Sequence, residues 1–342
     1  MGRVVPLPHL ELTWTSRNRC LRTPSGPGGS SGKQDGLCRD GIYVISPGGT
    51  DDTDSARIRM HGQDLIFCTS PHNPHPMDKS SIVGTLNRPT LLHTKGPVSY
   101  LRHPGLSRHP RLAHGIFTRK GGVSIPPYHF LNTSYEVGDL QENVRANLGL
   151  ISHTLGADHL VFMRQSHGTT VYTLARERKQ VPVEPPNADA VITDIPRVAL
   201  LVKQADCQGV IIFDSERQVV ANVHCGWRGN VNNILGRVVA RMGRGFRSRS
   251  QDLIAAIGPS LGPCCAEFVD HGKIFPPDFE EFMVGDDHFN LWAISERQLL
   301  EAGLRRENIE ICGICTRCAV GLFYSYRGEG KTGRFGTAAM LA

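Results

Sequence analysis

Cys207 and His224 stand at the two mouths of one expected β-hairpin, and Gln165-Ser166-His167-Gly168 lies some way upstream. Two imidazoles and one thiolate suffice to hold a zinc ion and still leave a coordination position open. An open position separates a metal that does chemistry from one that only staples a fold. These residue types therefore point to an enzyme.

The elements that must position them can be read from the pattern. Val210-Ile211-Ile212-Phe213 and Val219-Val220-Ala221-Asn222-Val223 are β-rich runs separated by turn residues. If Asp214 faces Val219, then Gly209 faces His224, and Cys207 lies two residues beyond on the same sheet end. Diagonal neighbours in a sheet are roughly 7–8 Å apart, a gap that two side chains and a zinc with bonds of ~2.0–2.3 Å can span. His167, preceded by the strand-like Val161-Phe162-Met163, has to come in from elsewhere. The plainer alternative stays open at this point. A lone cysteine after a strand is usually a packed small residue, and a histidine beside Gly226-Trp227 is often only hydrogen-bonded. The spacing matches no recognised metal motif by itself.

Further strands are expected at Ala190–Thr193, Val198–Val202, Leu253–Ile257 and Phe335–Leu341. Val231 to Met242 carries a helical stripe at Val231, Ile234, Leu235, Val238 and Val239. Phe289 to Ala302 reads as a second helix, with Asn290 as cap and Gly303 as stop. Strands and helices mixed around a central hairpin imply an α/β domain with a mixed sheet, not a doubly wound parallel one. Residues 1–95 differ: Thr23 to Gly36 is rich in Pro, Gly and Ser, and Pro71-His72-Asn73-Pro74-His75-Pro76 propagates neither helix nor central strand. The apolar islands Gly41 to Ile45 and Leu65-Ile66-Phe67 lack partners with matching periodicity. The expectation is a disordered, low-complexity extension over 1–95 and a catalytic domain over 97–342.

Composition narrows the class. The net charge of +6 is mild and the basic residues are scattered, which argues against a nucleic-acid binder. No run approaches the ~18 apolar residues of a membrane span. Residues 1–22 lack the apolar core of a secretory signal, so a cytoplasmic protein is expected. Arg3, Arg17, Arg19 and Arg22 against a single Glu11 leave an organelle-targeting leader as the alternative. Ten cysteines in 342 residues do not make a disulfide scaffold. Cys264-Cys265 are adjacent, and Cys312, Cys315 and Cys318 cluster. An iron–sulfur cluster or structural zinc normally takes four cysteines and no fourth follows in sequence; Cys312 and Cys318 read more simply as buried small residues, with a structural zinc as the alternative.

Taken together, several motifs resemble the YfiH, or laccase-domain, family. They are Phe117-Thr118-Arg119-Lys120-Gly121-Gly122-Val123-Ser124, Leu131-Asn132, Gln165-Ser166-His167-Gly168, Ala188-Asp189-Ala190 and Ala205-Asp206-Cys207. They continue with His224-Cys225-Gly226-Trp227-Arg228-Gly229, Ile257-Gly258-Pro259, Pro263-Cys264-Cys265, Phe323-Tyr324-Ser325-Tyr326-Arg327 and Thr332-Gly333-Arg334. The resemblance implies zinc at His167, Cys207 and His224. It implies the α/β sandwich shared with the cytotoxic necrotizing factor catalytic domain. The activity implied is phosphorolysis of adenosine, inosine, guanosine and methylthioadenosine, with adenosine deamination alongside. Cys225 replaces a usual Ala, and Gln208-Gly209 replaces the usual Xaa-Pro; neither change removes a ligand.

Purine nucleosides and phosphate are thus the expected partners. Phosphate needs cations to hold it. Arg119 and Arg228, flanked by glycine turns, are the catalytic candidates, and Asn132, Arg327 and Arg334 the substrate-binding ones. Asp206 could serve as general base or as support for its neighbouring ligand. Copper would also accept two histidines and a cysteine, but none of the 15 histidines forms the His-Xaa-His pairs of a multicopper oxidase. A thiol hydrolase with Cys207 as nucleophile and His224 as base is a further rival. So are a peptidoglycan-precursor amidase and a non-catalytic zinc-bound factor.

Overall fold

The hairpin forms in the expected register, with Asp214 opposite Val219 and Gly209 opposite His224. This computed structural model describes residues 57–60, 63–66, 91–176, 182 and 184–342. Most of the expected disordered extension, including Gly41 to Ile45, lies outside the described residues. The island at Leu65-Ile66 does find a partner: β2 (Gln63–Ile66) runs antiparallel to β1 (Arg57–Met60).

One six-stranded sheet runs in the order β3 (Leu91–Lys95), β4 (Val98–Arg102), β5 (Leu112–Phe117), β14 (Phe335–Leu341), β9 (Val198–Gln204) and β6 (His159–Phe162). It starts ahead of Pro97, because Gly96-Pro97 is only the tip of the β3–β4 hairpin. Gly96 takes a φ of 58° there, a conformation that glycine reaches without steric cost. The second sheet runs β13 (Ile309–Ile311), β12 (Leu253–Ile257), β10 (Gln208–Asp214), β11 (Val219–Cys225), β8 (Ala190–Thr193) and β7 (Val171–Leu174). Pairing is antiparallel except for β6–β9, β7–β8 and β12–β13.

Every residue of β9, β10, β11 and β14 is buried, as expected where both faces of a strand are covered. Leu200 and Val202 of β9 meet Ile211 and Phe213 of β10 between the sheets. The intervening Leu201 faces the other way, onto Val144, Leu148 and Ile151 of α1 (Gln141–Leu155). Val210 and Ile212 likewise turn outward, onto Leu235, Val238 and Met242 of helix Ile234–Phe246. The two-residue alternation of strands thus serves two apolar layers at once. Each such aliphatic side chain contributes about 1.5–3 kcal/mol on burial. Among the buried polar side chains of these strands, Asn222 is fully buried and donates from Nδ2 to Leu200 O (2.9 Å) and Thr337 O (2.8 Å), fastening one sheet to the other.

The expected stripe at 231–242 is split. A short helix α2 (Trp227–Val231) ends at Asn232, and α3 (Ile234–Phe246) begins afresh. Asn233 causes the break, since its φ is 49° and its side chain accepts from Gly236 N. Asn290 caps α4 (Leu291–Glu301) as expected, accepting from Ala293 N. The described part of residues 91–342 forms a mixed-sheet α/β sandwich with helices on the outer faces of both sheets. Among the described residues no helix is long and apolar enough to cross a membrane.

Candidate metal centre

The end of β11 delivers His224, and the bend joining β9 to β10 delivers Cys207. His167 arrives from the turn after β6, its backbone held at a φ of 60°. The three donor atoms lie within 4.8 Å of one another. The two imidazole rings are 4.9 Å apart and nearly perpendicular, at 77°. His224 is buried and His167 exposed, so the group is reachable from one side.

Asp189 organises this arrangement. Ala190 pairs with Val223, so the next step along both strands sets Asp189 beside His224, and His224 N donates to Asp189 O at 2.7 Å. Asp189 Oδ1 lies 2.9 Å from His224 Nδ1 and also accepts from His167 N at 2.9 Å. Its other oxygen accepts from Gly168 N at 2.8 Å and from the Ser166 hydroxyl at 3.1 Å. A carboxylate on Nδ1 fixes the tautomer and turns Nε2 toward a metal. Burial alone would raise the Asp189 pKa, but the hydrogen bonds from His224 and Gly168 bring it down to about 2. The sequence alone gives Asp189 no role; the β8–β11 register reveals it.

Charge is balanced across the centre. Burial pushes the Cys207 thiol up, yet the His224 charge and hydrogen bonds from His167 and His224 bring it down to about 6. Burial disfavours His224 in its charged form, but Cys207 and Asp189 raise it to about 9. Space is reserved as well as charge. A Cβ on Gly226 would lie 2.8 Å from Cys207 Sγ and 3.3 Å from His167 Cδ2, so only glycine leaves this volume to the donors. Two imidazoles with one oriented by a carboxylate, one low-pKa thiol and an open side suit a bound metal with catalytic access.

A cavity of about 850 Å³ opens onto these residues, lined also by Lys203, Asp206, Trp227, Phe268, Tyr326, Arg327 and Arg334. Arg334 Nη1 is held by Thr332 O and Gly333 O, and burial pulls its pKa down from the usual arginine value. Arg327 donates from Nη1 to Glu267 O. Asp206 has both oxygens engaged: Oδ1 with the Thr316 hydroxyl at 2.7 Å and Oδ2 with Arg327 N at 2.6 Å. Lys203 was not a sequence candidate; its Nζ meets both Glu136 oxygens at 2.8 Å.

Three sequence candidates are not brought to the cavity wall. Arg119 is spent elsewhere, on Val320 O (2.7 Å), Glu329 (2.8 Å) and the face of Tyr324. Arg228 is exposed and stacks on the Trp227 ring at 5.0 Å. Asn132 is fully buried and acts through its neighbours, accepting from Arg334 N and Ser134 N. Glycine flanks had marked Arg119 and Arg228 as phosphate ligands, but Arg119 is tied to Val320 O and Glu329, and Arg228, inside α2, lies over Trp227.

Residues 113–342 match the family described as multi-copper polyphenol oxidoreductase laccase. The chain belongs to this family. The match takes in His167, Cys207 and His224, together with every strand from β6 onward. A purine nucleoside phosphorylase of Bacteroides thetaiotaomicron is 30% identical over 260 residues, spanning 70% of this chain and 96% of the relative. Another, from Haemophilus influenzae, is 32% identical over 239 residues, spanning 66% and 93%. Among solved structures, YlmD from Geobacillus stearothermophilus has a TM-score of 0.65 at 27% identity, over 74% of this chain and 99% of that one. A Bacillus licheniformis hypothetical protein YfiH also has a TM-score of 0.65, at 28% identity over 72% and 97%. The family's description speaks of copper and the relatives' names of purine nucleosides.

Proposed function

We propose that the protein is a zinc-dependent purine nucleoside phosphorylase with adenosine deaminase as a second activity. Its substrates are adenosine, inosine, guanosine and methylthioadenosine, and with phosphate they yield free base and pentose 1-phosphate. The observation that carries this reading is the convergence of the His167, Cys207 and His224 donors within 4.8 Å, beside a cavity whose wall includes Arg327 and Arg334. The relatives named purine nucleoside phosphorylase, matched over about two thirds of the chain, support the nucleoside chemistry. Held by one thiolate and two neutral imidazoles, zinc supplies a net positive charge that polarises water or a phosphate oxygen near neutral pH.

The chain's own residues do the rest. Arg334 and Arg327 orient the phosphate and offset its charge. Trp227 and Phe268 give the purine an apolar surface to lie on. Asp206 acts as a positioning residue, holding the backbone of Arg327. Asp189 keeps the His224 proton on Nδ1.

The 2.9 Å contact of Asp189 with His224 also favours a second reading, in which His224 is the base for a Cys207 nucleophile. In that reading His167 only supports the Cys207 thiolate. One experiment separates them: metal quantified in purified protein, then adenosine supplied with and without phosphate and products read by chromatography. Adenine that appears only with phosphate, inosine formed without it, and loss of both in Cys207→Ala are the expected results. Full activity in metal-free protein would transfer the assignment to the thiol.

A further inference from the structure

Four thiols converge outside this centre. Cys264 and Cys265 follow the turn after β12, and Cys315 and Cys318 lie in the turn after β13. The parallel pairing of β12 with β13 sends both loops the same way. They then stay in register: Ser260 N donates to Ile314 O at 3.1 Å and Thr316 N to Ser260 O at 3.0 Å. Gly262 permits the approach, since a Cβ there would press on Cys315 Cβ at 3.0 Å and on Trp292 at 2.8 Å. Cys264 Sγ and Cys265 Sγ each stand 3.6 Å from Cys318 Sγ. All four sulfurs lie within 4.8 Å of one another.

The sequence had suggested Cys312, Cys315 and Cys318 as an incomplete set. The structure leaves Cys312 out: it is half-buried, and its N–H donates to Ile257 O. In its place come two cysteines from about fifty residues earlier, which no local spacing could reveal.

The geometry points to a second metal site here, a closed four-cysteine site for a structural zinc ion. Thiolates bound tetrahedrally at ~2.3 Å from zinc stand ~3.8 Å apart, which the observed 3.6 Å contacts approach. A disulfide requires ~2.05 Å, and none of the four is in one. An iron–sulfur cluster interposes several irons between its thiolates and needs a wider cage. Cys265 and Cys315 are buried, among Leu261 and Ala266. Four protein ligands complete the coordination shell and leave no position for substrate. On binding, the thiols that carry protons release them to solvent and no electrons move.

The consequence for the cavity is mechanical. The loop bearing Cys264 and Cys265 also presents Leu261 N to Asp206 O at 2.8 Å and Glu267 O to Arg327. The loop bearing Cys315 and Cys318 presents the Thr316 hydroxyl to Asp206. A metal joining the two loops fixes both supports of Asp206.

Zinc is counted by plasma mass spectrometry on protein purified under reducing conditions, for the parent, Cys318→Ser, His224→Ala and the double variant. Cys318→Ser should lose one zinc per chain relative to its parent, in the His224→Ala background as in the wild type. This difference does not depend on what the histidine-containing centre holds. Equal zinc in Cys318→Ser and its parent would overturn the site. So would a disulfide among the four cysteines in freshly reduced wild-type protein, or iron with inorganic sulfide in place of zinc. If Cys318→Ser fails to fold, cobalt loaded into His224→Ala provides the same test. Intense thiolate-to-cobalt absorption with a tetrahedral visible band is expected, and its absence overturns the proposal.

Discussion

Asp189 and His224 sit side by side at the ends of β8 and β11, joined twice, once through the backbone and once through carboxylate and imidazole. The same carboxylate accepts from the amides of His167 and Gly168. One buried acid therefore holds the His224 imidazole and the His167 backbone together. Asp189→Asn keeps the shape but loses the charge, and its amide can present a donor where an acceptor is required. Metal affinity should fall roughly 10–100-fold, measured by competition with a chromophoric chelator. Unchanged affinity would remove Asp189 from the centre.

Gly226→Ala tests the reserved volume. The added methyl meets Cys207 Sγ at 2.8 Å, so metal content should drop sharply while the thermal midpoint moves by only a few degrees. Full occupancy in this variant would show that the thiol can yield.

The cavity arginines and the exposed one should separate cleanly. Arg334→Ala should lower kcat/KM for phosphate by roughly 10–100-fold, the ~1.5–3 kcal/mol of a lost charged hydrogen bond. Arg228→Ala should stay within about twofold of the parent, because its guanidinium lies over Trp227 in solvent. The reverse ranking would reinstate the sequence assignment.

Asn222→Ala removes two hydrogen bonds between the sheets. Each buried carbonyl that it deserts costs about 1–3 kcal/mol, so the urea midpoint should fall well below that of the parent. The metal-to-protein ratio of the folded fraction should not change.

Acid sensitivity should come partly from His103, which is buried with His114 and Glu310 as ionisable neighbours. Burial lowers its pKa from 6.5 to about 4. The unfolded chain thus binds a proton between these values and the folded chain does not. Stability is complete above pH 6.5 and is lost as pH falls toward 4, by about 2 kcal/mol at pH 5 for this one group. Denaturation midpoints at pH 7 and pH 5 measure it, and His103→Gln should flatten the difference.

The sequence carried the hairpin register because alternating apolar runs and one polar turn leave few ways to pair β10 with β11. That register was enough to bring Cys207 to His224. Asp189 was hidden because its role depends on how β8 aligns with β11, and its own neighbourhood of small apolar residues gives no sign of it. The fates of Arg119 and Arg228 were illegible for a related reason: flanking glycines say that the backbone can bend, not where a long side chain ends. The thiol quartet needed the parallel β12–β13 pairing, a contact across about fifty residues with no local pattern to announce it.

β14 lies between β5 and β9, yet it is made long after both. Until the ribosome has supplied Phe335–Leu341, these two strands present open backbone edges and apolar faces to their surroundings. The first sheet therefore cannot close before β14 is made, and a nascent chain halted ahead of it carries two unsatisfied strand edges that invite association with other chains.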